Sequence, residues 1–231
     1  GDLKKDLIGQ YSNSRYSGYG FGPNSGTMAG FPHFSELSFT GEFPIARLDF
    51  EEEGFPGSVS LTAFNPFIPL DDMASSIPAA FFEIEIRNTE DEALQYTVAL
   101  SVSNSFHEGS VNQFAMMNYG AGIRLGQNVL KPEDIGYGDI TFATDCDKVS
   151  YQENWYRGAW FDGPTVFWQD FTSGALANRA YEAAGKGDTA TLAVAVDAKA
   201  HETKKVRFVI AWNFPNQYNY WSPYRVQTEQ G

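Results

Sequence analysis

The chain is short of several things. Its 231 residues hold one cysteine, Cys146, so no intrachain disulfide can form and cysteine usage does not reveal the redox compartment. No run of about 18 apolar residues occurs, which excludes a helical membrane span. Positive charge is scarce: 16 Lys and Arg stand against 29 Asp and Glu, a net charge of −13. A nucleic-acid partner needs a Lys/Arg footprint that is absent, and an anionic membrane surface would repel such a chain. Only three histidines occur, His33, His107 and His201, and none is spaced as a zinc-ligand pair. The G-x-S-x-G nucleophile elbow is missing, and Cys146 has no helix-start context to activate it. The opening GDLKKDLIGQ lacks the apolar core of a signal peptide and begins on Gly, as a processed chain would. Periplasmic, secreted and cytoplasmic locations all stay open.

What is abundant is aromatic side chain: 19 Phe, 12 Tyr and 5 Trp. Such residues favour pleated, half-buried surfaces and point toward β-structure. Residues 9–34 carry Gly, Ser, Asn and Tyr without a period of 2 or 3.6, and read as an irregular lead-in (1–34) to a single domain spanning 1–231. Beyond it, short alternating segments recur. In GSVSLTAF, Val59, Leu61 and Ala63 alternate with polar residues. In AAFFEIEIRN, Phe82, Ile84 and Ile86 oppose Glu83, Glu85 and Arg87. The turn NTEDEA leads to LQYTVALSVSN, whose row is Tyr96, Val98, Leu100 and Val102. These two segments predict a β-hairpin.

TLAVAVDA and VRFVIAWNF, joined by KAHETKK, predict a second hairpin. ITFATD near Ile140 and PTVFWQDF near Val166 read as further strands. One helix is expected, over SGALANRAYEAAGKG, where Leu176, Ala177, Ala180, Tyr181 and Ala184 share a face. Many short strands, no βαβ alternation and at most one short helix predict an all-β, antiparallel two-sheet β-sandwich.

Candidate chemistry is sparse. The loops KPEDIGYGD and TDCDK do not follow the alternating pattern of a calcium loop, and no metal site or cofactor is expected. A glycosidase needs two carboxylates about 5 to 9 Å apart across the scissile bond. Asp71 and Asp72, in FNPFIPLDD, are sequence neighbours whose side chains would diverge in extended chain. Pro66 and Pro69 cannot donate ladder hydrogen bonds, so this stretch reads as a strand exit, with the aspartates solvated or capping a turn. No catalytic residue emerges.

The densest aromatic segment, NWYRGAWFDGPTVFWQDF, holds Trp155, Trp160 and Trp168 with Arg157 and Asp162. Indole faces could stack on sugar rings while Arg157 and Asp162 bind hydroxyls. The competing reading is a packed core edge or domain interface, where the same residue types are enriched. Composition favours the second.

In order along the chain stand FPIA, GSVSL, PFIPLD, SSIPAAFF and NTEDEA, then NWYRGAWFD, FWQDF and FVIAWNFPN. This succession, across residues 39 to 221, resembles the amino-terminal domain of glycoside hydrolase family 116, the bacterial β-glucosidases and non-lysosomal glucosylceramidases. A glycine-rich opening of the family is not seen here. The resemblance implies an accessory sandwich that packs against a separate helical glycosidase domain of the same parent chain. The catalytic carboxylates of a retaining mechanism would lie in that domain, so no position here inherits a catalytic role. Trp155, Arg157, Trp160, Asp162, Trp168, Asp71 and Asp72 are then candidates for a domain interface or a wall of the sugar cleft. The alternative is a free-standing carbohydrate-binding module using the three tryptophans as stacking platforms.

Overall fold

A computed structural model describes residues 28, 30–159 and 162–218. Eleven strands and two helices follow in the order β1 (Glu36–Glu42), β2 (Ile45–Glu51), β3 (Gly57–Phe64), α1 (Asp72–Ser75), β4 (Ala79–Asn88), β5 (Leu94–Ser103), β6 (Ser110–Met116), β7 (Ala121–Gln127), β8 (Asp139–Thr144), β9 (Val149–Gln152), α2 (Asp162–Thr172), β10 (Thr189–Ala198) and β11 (Thr203–Asn213). They form an eight-stranded sheet, ordered β1-β2-β3-β4-β11-β8-β7-β6, and a three-stranded sheet, β5-β10-β9. Each pairing is antiparallel. The β-sandwich expected from the alternating rows is the fold.

The rows face as their period predicts. Phe50, Val59, Ile84, Ile86, Phe142, Val206 and Phe208 of the large sheet meet Tyr96, Val98, Leu192 and Val194 of the small one in a single buried cluster. Full burial of each such side chain stabilises the fold by roughly 1.5–3 kcal/mol before conformational entropy is counted. Phe34, in the described end of the lead-in, adds to this core against Phe50 and Phe55.

The pairing of the strands differs from the two expected hairpins. β4 pairs with β3 and β11, while β5 pairs with β10, so neither β4–β5 nor β10–β11 is a hairpin. Both connections are corners at which the chain leaves one sheet for the other. The apolar rows of β4 and β5 thus face each other across the core instead of lying side by side. Asn88 holds the two corners together: its side-chain amide donates to the carbonyls of Glu92 (2.7 Å), Lys199 (3.0 Å) and Ala198 (3.3 Å). A fully buried amide finds its partners only because both corners arrive at the same place.

The helical content also falls elsewhere than expected. PTVFWQDF is not a strand but the body of α2, and 173–187 is irregular instead of helical. Pro164, Phe167, Trp168 and Phe171 recur at i, i+3, i+4 and i+7, the spacing of one helix face, and Pro164 sits in the first turn where its missing N–H costs nothing. The alanines of 173–187 meet no core; Leu176 alone there among the apolar residues is buried. Backbone and side-chain groups of that stretch bond outward to neighbouring segments instead.

Candidate functional site

The aromatic segment and α2 form a third layer over the outer face of the small sheet. There Ala193 and Ala99 present small side chains, and Trp155, Phe167, Phe171 and Leu176 fill the space above them. Trp155 is 7 % exposed. Its ring stacks on Phe167 with centroids 4.3 Å apart, and its indole nitrogen donates to the Thr191 hydroxyl at 2.8 Å. Thr191 also exchanges a 2.8 Å hydrogen bond with Ser101 on the adjoining strand. Trp155 is thereby part of a packed layer and offers no open face to a ring from solvent. Trp168 is half-buried and stacks at 4.6 Å on Phe31 of the lead-in. Trp160 lies outside the described residues.

Arg157 is committed to the same layer. Its guanidinium holds the Asp188 carboxylate in two 2.9 Å bonds and donates to the Ala183 carbonyl at 2.8 Å. The guanidinium carbon also sits 4.3 Å from the centroid of the Tyr181 ring, and Tyr181 accepts a 3.1 Å bond from the Arg157 backbone. The planar fork matches a carboxylate in a way that a lysine cannot. Gly185 is needed here for close approach: a Cβ on it would fall 1.4 Å from an Asp188 oxygen. Asp162 opens α2, is exposed, and joins none of these contacts beyond a 3.3 Å backbone bond to Ala159.

A second latch, which sequence reasoning missed, ties α2 to the sheet. Asp170 accepts from Arg179 at 2.6 Å and from Gln152 at 2.7 Å. Burial works against its charged form, but these two donors outweigh it and hold the carboxyl below its ordinary value. The signal was present in retrospect only as a helix acid and a distant arginine, which nothing in sequence pairs. Gln152, fully buried on β9, leaves its Oε1 without a protein partner among the described residues.

The two aspartates of FNPFIPLDD sit apart from this layer. β3 ends at Phe64, and the chain leaves the sheet there. Asp71 caps the single turn α1, its carboxylate accepting from the Ala74 backbone at 2.9 Å, while Asp72 is exposed in that turn. Asp71 and Asp72 are not brought together with Trp155, Arg157 or Trp168 into one site. Cys146 is half-buried, and burial pushes its thiol above the ordinary range. Among the described residues no three His, Cys, Asp or Glu side chains converge as metal ligands, and no helix is long and apolar enough to cross a membrane.

The fold and the ordered motifs meet in a family assignment. The family model described as "beta-glucosidase 2, glycosyl-hydrolase family 116 N-term" matches residues 9–228, and the chain belongs to that family as its N-terminal domain. Among curated proteins none matches. Of solved structures, one described as "Putative kojibiose phosphorylase from human microbiome" is similar over 73 % of this chain, with a TM-score of 0.41 and 9 % identity. The chain spans 18 % of that protein's length.

Proposed function

We propose that this chain is a non-catalytic accessory sandwich of a glycosidase acting on β-glucosides or related glycosides, and that it works by packing against a separate helical catalytic domain. The observation that carries the reading is the family match over residues 9–228, to a domain defined as N-terminal. The site geometry agrees with it. Trp155 and Arg157, two of the candidates for sugar contact, are spent on internal packing and an internal ion pair. The adjacent carboxylates of the FNPFIPLDD stretch, Asp71 and Asp72, occupy a helix cap and a solvated turn. The role is to support the catalytic domain, with β-glucoside cleavage belonging to the parent protein.

Turnover of an aryl β-glucoside by the complete parent protein, with none by the 231-residue chain, is the expected result. Turnover by the chain alone would overturn the reading. Calorimetric titration of the chain with gluco-oligosaccharides addresses the binding-module alternative: binding that is lost in Trp168→Ala would favour it.

A further inference from the structure

The two edges of the large sheet are finished differently. β6, at one edge, is occupied: its Phe114 N–H donates to the Glu153 carboxylate at 2.8 Å. Ser110 of the same strand exchanges backbone bonds of 3.1 and 2.9 Å with Gly185. β1, at the other edge, pairs with β2 alone among the described residues, and all seven of its residues are exposed. On β5, an edge of the small sheet, only Gln95 and Ser103 are exposed. The outer side of such an edge strand carries a row of unpaired N–H and C=O groups, which an extended chain matches.

The devices that blunt an edge are missing from β1. Its sequence ELSFTGE has no Lys and no Pro, and its register with β2 runs through seven pairs without a bulge. No charge points to the core side either. Glu36, Ser38, Thr40 and Glu42 share the outward side with Arg47 and Asp49, whereas Leu37 and Phe39 stand on the core side beside Phe50 and Leu48. Leu37 is 42 % exposed and Phe39 66 %, so the core side of the large sheet extends here past its cover.

We propose that β1 is a self-association edge: two copies of the chain join β1 to β1, antiparallel, about a two-fold axis at Ser38. The period of 2 admits only registers that keep Leu37 and Phe39 of both copies on one side. Among these, an axis at Phe39 sets Glu36 directly opposite Glu42 of the second copy, a like-charge pair. An axis at Thr40 puts that Glu42 beside Ser38, in line with Asp49. Axes at Leu37 or Gly41 pair only three residues of each strand. The axis at Ser38 instead brings Glu36 of the second copy beside Thr40, in line with Arg47. The Arg47 guanidinium holds Asp49 at 2.8 Å and, with a side chain 47 % exposed, still faces solvent. In the same register Leu37 of each copy meets Phe39 of the other, which lengthens the apolar rows that begin at Phe50 and Leu48. Charge thus selects both the occupant and its register. The net charge of −13 on each copy opposes approach at long range, so the dimer is weak and forms with concentration.

Cross-linking of the 231-residue chain tests the register, and sedimentation equilibrium tests the association. Ser38→Cys in a Cys146→Ala background places two thiols directly opposite, with Cα atoms about 4.5–5.5 Å apart and within disulfide reach. Thr40→Cys in the same background sets its thiols about 13 Å apart along the strands, out of reach. With oxidised glutathione, Ser38→Cys is expected to give covalent dimer about tenfold faster than Thr40→Cys or more, and adding Phe39→Lys should remove that advantage. Without a cross-link, the parent chain should show a monomer–dimer equilibrium that Phe39→Lys weakens about tenfold or more. Tyr119→Ser, on an exposed loop elsewhere, should leave it unchanged. The Phe39 side chain is mostly exposed, so circular dichroism of Phe39→Lys should match the parent. A chain that stays monomeric at about 1 mM, with Ser38→Cys linking no faster than Thr40→Cys, would overturn the proposal. A dimer that Phe39→Lys leaves intact would overturn the choice of edge, and faster linking through Thr40→Cys would overturn the register.

Discussion

The indole nitrogen of Trp155 donates to the hydroxyl of Thr191 at 2.8 Å, joining the aromatic segment to the central strand of the small sheet. Thr191 is fully buried, and its hydroxyl is shared with Ser101. The most conspicuous tryptophan of the sequence is therefore a fastening inside the molecule. Trp155→Phe should keep the stack on Phe167 and lose the hydrogen bond, lowering stability by about 1–2 kcal/mol. Trp155→Ala should cost about 3–5 kcal/mol through the cavity it leaves. Denaturant unfolding followed by circular dichroism checks both, and equal losses in the two variants would show that the stack contributes nothing.

Arg157 and Asp188 make a comparable prediction about the loop 173–188. Arg157→Lys cannot reproduce the paired 2.9 Å bonds or the stacking on Tyr181 and should cost about 1–3 kcal/mol. Gly185→Ala should cost a similar amount, on the order of 1–3 kcal/mol, because its Cβ and the Asp188 carboxylate cannot share the space. The pair should couple in a double-mutant cycle, since both act through Asp188. Strict additivity would refute this picture of the latch.

Much of the sandwich is legible in the sequence because its rows are strict. Val59, Leu61 and Ala63, or Ile84 and Ile86, alternate with polar neighbours, and a period of 2 allows one face for each. What alternation does not contain is the identity of the partner strand. A five-residue link such as 89–93 serves a hairpin or a corner equally well, and the choice is made by Asn88 bonding to Ala198 and Lys199, over a hundred residues away. The helix α2 is hidden for a different reason. Val166, Phe167 and Trp168 carry β propensity, while the i, i+3, i+4, i+7 face that makes them helical acquires meaning only once there is a sheet for it to cover. The candidate site suffers likewise: composition marks 154–171 as aromatic but cannot say that Trp155 points inward and Leu70 outward.

Glu83 and Asp170, two of the four carboxylates held below their ordinary values among the described residues, contribute to the response to acid. Hydrogen bonds from Lys205 and Arg207 hold Glu83 below its ordinary value, and Asp170 lies below its own despite burial. Each binds its proton less readily folded than unfolded. Their contribution is thus complete above the unfolded value of about 4 and is lost as pH falls through the folded ones. The melting temperature should be flat near pH 6 and fall steeply below about pH 4. Asp170→Asn with Glu83→Gln should start lower and fall less steeply over that interval. Identical slopes in parent and variant would assign the acid sensitivity to other groups.

The accessory role itself is tested most directly by removing the domain. Deleting residues 1–231 from the complete parent protein and adding the same chain back in trans separates support from catalysis. Loss of thermal stability and of aryl β-glucoside turnover on deletion, with recovery on adding the chain, is the predicted result. A truncated enzyme that melts and turns over substrate like the intact protein would contradict the account.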